Sequence, residues 1–332
     1  MTDFSFVLPS YNGGAYFKEC VRGIRAQTRD DWQLAVLDDC SDDDSLRWLA
    51  ALNDGRIVVY PSCGRLGIER NWARALEIPL HPWMTIIAQD DFLDPNYLEV
   101  MHGLIERNPD AGLLFAHFRF IDERGQTERA CRPMPVRESA AQYITELFCD
   151  RRDTHAAGYM WRSQRYRDCG GIPLYKGLLF ADDALWINLM QGSYKATSAD
   201  NCFAVRTHRD SASHAPDWRW WMQGMEEYLP FLQNVAATDS DFARAYERFA
   251  PDYFARWCRN IYILAMMQAT QKNCRVASNT FDEIAAVLER FEPQWARRFP
   301  LSRRARDLRL REFVNANPLA RRLYRVRLKL KS

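Results

Sequence analysis

An α/β fold is predicted, with a mostly parallel sheet flanked by helices and a mainly helical C-terminal extension. Three observations predict it. Short apolar runs alternate with helical stretches from the first residues onward, two of those runs end on adjacent aspartates, and strand-like runs disappear after about residue 215. Residues 4–9 form the first run, followed by the turn-forming Ser10, Tyr11, Asn12, Gly13 and Gly14. Phe17, Cys20, Val21 and Ile24 then recur on one face of a helix. Residues 34–37 are the second run and stop on Asp38 and Asp39. Leu46, Leu49 and Leu52 mark the helix that follows, with Ser41 or Asp42 as its cap. Residues 57–60 give a third strand, and Ile68, Trp72, Ala75 and Leu76 a third helix. The run at 83–88 leads to Asp90 and Asp91, and Tyr97, Met101, Leu104 and Ile105 mark another helix.

The paired acids carry chemistry. Parallel strands buried on both faces are continuous apolar runs, and ligands gather at their carboxyl ends. Adjacent carboxylates repel one another there unless a cation lies between them. A hard divalent ion bound through carboxylate oxygen and bridging to phosphate suits such a place, whereas a solvated Asp-rich turn is the plain alternative.

Several motifs in order carry a family resemblance. Residues 7–12 (VLPSYN), 26–28 (AQT) and 36–42 (VLDDCSD), then Gly67, Arg70 and Asn71, and finally Gln89, Asp90 and Asp91 resemble the inverting GT-A glycosyltransferases of family 2. That family assembles lipopolysaccharide, capsule and other bacterial glycans from nucleotide sugars, and the likeness covers roughly residues 4–213. Cys40 stands where relatives usually carry glycine, and Ala88 where an outer aspartate often precedes the metal-binding pair.

The resemblance implies a GT-A, Rossmann-like domain and a division of roles. Pro9, Ser10 and Tyr11 would cover the base, Asp39 would accept the N3–H of a uracil, and Asp38 would support it or cap a helix. Thymine presents the same edge, so the resemblance favours UDP-sugars without fixing the nucleotide. Asp90 would meet the ribose side and Asp91 the cation, Mn2+ or Mg2+, on the diphosphate; Arg70 would add positive charge or remain an ordinary surface arginine. Asp183 would be the general base, oriented by Asp182, unless both acids merely favour a helix N-terminus. His208 would complete the metal shell or touch the diphosphate, and Arg206 or Arg209 would neutralise phosphate. The reaction implied is metal-dependent inverting transfer of a sugar to a hydroxyl of a surface glycan or lipid-linked acceptor.

Composition limits the alternatives. The 332 residues, 47% of them hydrophobic, suffice for a sizeable core and exceed the usual single domain. We expect a catalytic domain over residues 1–214, an aromatic-rich helical extension over 215–302 and a basic tail over 303–332. Nine cysteines without zinc-like spacing read as free thiols in a reducing cytosol, and the first strand leaves no room for a targeting segment. No apolar run approaches the ~18 residues of a membrane span.

The net charge of +2 conceals a basic C-terminus, where Arg321, Arg322, Arg325, Arg327, Lys329 and Lys331 alternate with Leu319, Leu323, Val326 and Leu330. On a helix this is a basic amphipathic element suited to an anionic membrane surface, placing the protein in the cytoplasm or peripherally on the inner membrane face. Residues 324–331 also alternate with strand period. No nucleic-acid recognition fold accompanies the charge. The rival functions are a catalytically silent nucleotide-sugar or glycan-binding scaffold and a sugar-phosphate nucleotidyltransferase. The second would carry a basic, Gly-rich phosphate loop, which residues 10–14 lack.

Overall fold

The computed structural model describes residues 3–208, 217–296 and 306–329. They fall into two compact units, one made of residues 1–174 and 180–211 and the other of 175–179 and 212–332.

In the first unit, strand β1 (Phe4–Ser10) is buried along its whole length. Phe6, Val7 and Leu8 are fully inaccessible, and such burial contributes roughly 1.5–3 kcal/mol per large apolar side chain. The strand is central because it pairs on both sides, in parallel, with β2 (Trp32–Asp38) and β4 (Trp83–Ile86). Strand β3 (Ile57–Pro61) extends the parallel set beyond β2, and β9 (Trp161–Arg162) adds an antiparallel edge to β4. The order is therefore β3-β2-β1-β4-β9. The crossovers run through α1 (Gly14–Arg25), α2 (Ser45–Ala51) and α3 (Ile68–Ala73). Helix α1 buries Phe17, Cys20, Val21 and Ile24, the face its sequence spacing predicts. Because Ser10 is in register with Asp38, these strands end along one edge of the sheet.

A second, mixed sheet was not among the sequence expectations. Its order is β5-β10-β6-β7, built from β5 (Phe92–Leu93), β6 (Leu113–Ile121), β7 (Thr127–Ala130) and β10 (Lys195–Arg206), with β8 (Arg137–Glu138) also on β10. Strands β6 and β10 run parallel with register shifts between Ser198 and Phe203. Asp200 and Asn201, exposed there, break the apolar alternation that would have advertised the strand. Helices α4 (Tyr97–Arg107), α5 (Ala140–Phe148), α6 (Ser163–Asp168) and α7 (Ala181–Met190) complete the unit. Helix α7 is buried on nearly every face, so its first turn is held inside the protein.

The regular structure of the second unit's described residues beyond 217 is helical: α8 (Trp218–Thr238), α9 (Ser240–Gln271), α10 (Thr280–Phe291), α11 (Pro293–Ala296), α12 (Arg306–Ala316) and α13 (Pro318–Lys329). Asp239 caps α9 by accepting from the Asp241 and Phe242 amides. The aromatic stripe supplies core: Tyr246, Tyr253, Phe254 and Phe281 are buried, and Tyr246 donates to the buried Glu292 carboxylate at 2.8 Å. Residues 175–179 belong here too. The Lys176 amide donates to Glu227, its ammonium lies 4.3 Å from the Trp220 ring centroid, and a Cβ on Gly177 would approach Trp220 Cε3 to 2.9 Å. The C-terminal segment is helical through Lys329, which resolves its ambiguous periodicity. Among the described residues, no helix is long and apolar enough to cross a membrane.

Candidate active site

Strand β1 ends in a tight turn clamped by Gln89. Gln89 Oε1 accepts from Ser10 Oγ and from the Tyr11 amide, both at 3.0 Å, and its Nε2 donates to the Tyr11 carbonyl at 3.1 Å. Gly13 is required at this clamp, because a Cβ would come within 2.7 Å of Gln89 Oε1. Pro9 and Ser10 are buried, while the Tyr11 ring is 37% exposed with the Arg65 guanidinium 3.1 Å from its centroid.

The two acids ending β2 have different surroundings. Asp38 accepts from the Ser41 amide at 3.2 Å, a local turn-forming contact. Asp39, 1% exposed, gathers the β3–α3 loop. Its Oδ1 accepts from the Leu66 amide at 2.6 Å and Ser62 Oγ at 3.4 Å, and its Oδ2 from the Gly67 amide at 3.0 Å and from Arg65. Gly67 has φ +87°, a conformation costly for other residues, and this presents its amide to the carboxylate. Arg65 carries no sequence signal, because its contact with Asp39 arises only from the fold of this loop. Arg70 is exposed on α3 and makes no ion pair among the described residues.

The acids after β4 meet the end of β10. Asp91 is buried, and its Oδ1 accepts from the Arg206 amide at 3.0 Å. Burial, and then the adjacent Asp90 charge, push the Asp91 carboxyl well above the ordinary carboxylate range, and the Arg206 amide only partly offsets this. Asp90 Oδ2 lies 2.7 Å from His208 Nε2, whose ring is beside Tyr16. Arg206 is turned inward: its guanidinium donates to the Asp90, Asp122 and Glu123 carbonyls and to Glu19, and the side chain is only 2% exposed. It therefore ties β10 to this loop. Arg209 lies outside the described residues.

Among the described residues, no group of three or more His, Cys, Asp or Glu converges at metal-ligand geometry. The donors present still suit a hard cation shared with a ligand. Asp91 keeps Oδ2 unbonded by any described group, its buried charge is unfavourable without a counterion, and Asp90 and His208 adjoin it.

The third group of acids opens α7. Phe180, the residue before the helix, has φ 65°, a sparsely populated conformation for a bulky side chain. It sets Asp182 and Asp183 in the first helical turn, where the helix dipole favours negative charge. Asp182 Oδ1 accepts from the Asp183 backbone amide at 3.0 Å, so Asp182 contacts the backbone rather than its neighbour's carboxylate. Asp183 is 6% exposed and its Oδ1 accepts from Tyr143 Oη at 2.6 Å. Burial raises both carboxyls above the ordinary aspartate range, and for Asp183 the charge of Asp182 adds to it. The Tyr143 hydrogen bond and the Arg152 charge pull Asp183 the other way.

Tyr143 and Arg152 belong to a buried charged cluster absent from the sequence reading. The Arg152 guanidinium is 4.0 Å from the Tyr143 ring centroid and forms a two-pronged pair with Glu138 at 2.9 and 3.1 Å. Lys195 Nζ sits 2.5 Å from the same carboxylate, and all three charged groups are at most 5% exposed. The direct contacts thus join Ser10, Tyr11, Gln89, Arg65 and Asp39 in one cluster, and Asp90, Asp91, Arg206 and His208 in a second. Asp182, Asp183 and Tyr143 form a third, with no direct bond to the other two among the described residues.

Residues 5–165 match the family described as Glycosyl transferase family 2. Among curated relatives, the glycosyltransferase GlyG of Streptococcus pneumoniae is 27% identical over 36% of this chain and 40% of its own length. Alignments to two uncharacterised relatives cover 14% and 61% of those proteins, so the chain spans less than two thirds of each of these three. Among solved structures, S. aureus TarS 1–349 in complex with UDP-GlcNAc superposes with a TM-score of 0.66 at 15% identity, over 93% of this chain and 90% of that one. The mannosyltransferase PcManGT of Pyrobaculum calidifontis, in complex with GDP-Man and Mn2+, gives 0.54 at 13% identity, over 97% and 86%. These likenesses are of fold, and the fold is GT-A, as the sequence motifs predict.

Proposed function

Residues 5–165 are a glycosyltransferase family 2 domain, and from this premise we propose that the protein transfers a sugar from a nucleoside diphosphate donor to an acceptor hydroxyl with inversion. One observation carries the reading: parallel strands β1, β2 and β4 deliver Tyr11, Asp39 and the Asp90–Asp91 pair to a single sheet edge. That edge is where a parallel α/β sheet binds ligands.

In this reading the base lies against Tyr11 and Asp39, displacing the Arg65 guanidinium from the ring face. Pro9, Ser10 and Asp38 shape the turn beneath it. A UDP-sugar is the favoured donor, in keeping with the UDP-GlcNAc bound by TarS. Asp91, with Asp90 and His208 beside it, would hold Mn2+ or Mg2+, as the Mn2+ complex of PcManGT suggests. When bound, such an ion supplies Lewis-acid stabilisation of the leaving diphosphate. Arg70 and Arg209 remain candidates for phosphate neutralisation, while Arg206 acts by holding the Asp90 and Asp91 loop.

Asp183 accepts the proton of the acceptor hydroxyl as its oxygen attacks the anomeric carbon. The bond to the donor phosphate oxygen breaks in the same displacement, and the nucleoside diphosphate leaves with the electron pair. A buried base raised above the ordinary carboxylate range is better matched to a hydroxyl proton than an exposed aspartate. Calorimetric titration with UDP, dTDP, GDP and CDP, each with and without Mn2+, tests the donor assignment. Tight, Mn2+-dependent binding of UDP is expected, and binding of none of them would return the scaffold reading.

The acceptor is a glycan or a lipid-linked glycan. The C-terminal helices support a membrane-side location, because Leu310, Phe313, Leu319 and Leu323 are 61–67% exposed among arginines. Apolar side chains flanked by basic ones suit an anionic lipid surface. Removal of residues 318–332 is expected to weaken binding to phosphatidylglycerol vesicles by well over ~10-fold, since each basic residue near the surface contributes about 1 kcal/mol. Unchanged co-sedimentation would end the membrane assignment, and donor binding serves as the folding control.

A further inference from the structure

We propose that Tyr143 is a positioning residue for the transfer reaction: its phenol fixes the Asp183 carboxylate through Oδ1, so that Oδ2 takes the acceptor's proton. The inference rests on Asp183 as the base and adds to it the group that sets that base's orientation and working pH.

The geometry is specific. Tyr143 is fully buried on α5, and its hydroxyl donates to Asp183 Oδ1 at 2.6 Å, a length typical of a hydroxyl donating to a charged acceptor. The other bond at this turn goes to the Asp183 backbone amide, and no described group bonds Oδ2. The two oxygens are thereby distinguished, one committed to the protein and the other available. A carboxylate held by one oxygen cannot rotate freely about its terminal torsion, so the free oxygen keeps one direction through the proton transfer.

Tyr143 is itself fixed from behind. Helix α5 starts with a capping box in which Ser139 Oγ accepts from the Gln142 amide and the Gln142 side chain accepts from the Ser139 amide. The Tyr143 carbonyl accepts from Arg152 at 3.4 Å, and the Arg152 guanidinium faces the ring at 4.0 Å. Arg152 is anchored in turn by Glu138, which Lys195 also approaches. A cation over the ring favours the phenol as a proton donor, and burial together with the nearby Asp183 charge keeps it protonated by raising it well above the ordinary tyrosine range. The arrangement resembles support for a catalytic group more than simple filling of a core: a phenylalanine would pack equally well, whereas the hydroxyl has Asp183 as its partner.

The sign of the effect follows from which form of Asp183 the bond favours. A donated hydrogen bond stabilises the carboxylate, opposing burial and Asp182. Its loss raises the Asp183 carboxyl further, so the acid limb of the kcat–pH profile moves to higher pH. Tyr143→Phe is expected to move that limb up by roughly one to two pH units, as befits a hydrogen bond to a charged group. The kcat near neutrality should fall about tenfold and recover on the alkaline side, with the donor KM within about twofold of wild type. Introducing 3-fluorotyrosine at 143, a stronger donor of nearly the same size, is expected to move the limb down and covers the case in which the phenylalanine variant folds poorly.

An unmoved acid limb in both variants would overturn the proposal, whatever the change in kcat. Asp183→Asn in the same assay separates the premise from the inference. If that variant keeps wild-type transfer, the base assignment itself fails. If it is inactive while Tyr143→Phe follows the wild-type profile, only the positioning role fails.

Discussion

Asp183→Asn is expected to lower transfer by roughly a thousandfold while leaving donor affinity within about twofold. The amide keeps an oxygen that can accept from Tyr143 Oη, so the buried hydroxyl retains its partner and the first turn of α7 keeps its shape. What is lost is the capacity to take up a proton. Asp183 also makes no direct bond to the Tyr11–Asp39 cluster or the Asp90–Asp91 cluster among the described residues, which is why binding and turnover should separate. Single-turnover transfer and donor calorimetry on the same preparation measure the two. Equal loss in both would show that the acid stabilises the donor complex instead. In the wild type, transfer should decline on acidification at a pH above that of an ordinary aspartate, because burial raises this carboxyl and only its ionised form accepts a proton.

The second large effect is expected at Asp91. Asp91→Asn should weaken metal-dependent donor binding by at least about a hundredfold, with transfer falling in proportion. Asparagine is a cleaner test than alanine. The Arg206 amide donates to Asp91 Oδ1 inside the protein, and alanine would leave that N–H unpaired at a cost of about 1–3 kcal/mol. Asparagine keeps an acceptor and removes one unit of buried negative charge beside Asp90, so thermal stability in the absence of metal should hold or rise. Donor titrations with and without Mn2+ should then coincide for the variant and differ for the wild type. Persistent Mn2+ dependence in the variant would assign the ion to other ligands.

The placement of the β1, β2 and β4 residues at one sheet edge was legible in the sequence because strand geometry does the placing. An apolar run that ends on acids puts them at a sheet edge, and β1, β2 and β4 run parallel, so Tyr11, Asp39 and Asp90 share that edge. The partners that determine what each acid does were not legible. Asp183 and Tyr143 lie 40 positions apart on different helices, with no periodicity linking them. Lys195 and Glu138 meet only through the register of β10 with β8. That register belongs to the sheet the sequence reading missed, where the Asp200–Asn201 irregularity interrupts the pattern. The family resemblance implies Arg206 or Arg209 as a phosphate ligand, and the guanidinium of Arg206 is taken up by neighbouring carbonyls and Glu19.

Residues 175–179 carry a consequence for exchanging parts between relatives. They are numbered inside the stretch of the first unit, but their partners Trp220 and Glu227 are on α8. A chimera joined once, after residue 208, would set a foreign helical module against a native segment shaped for α8, whose last residue, Leu179, is three positions before Asp182 of α7. Grafting therefore needs two splices, so that the short insert and the helices travel together as one inherited piece.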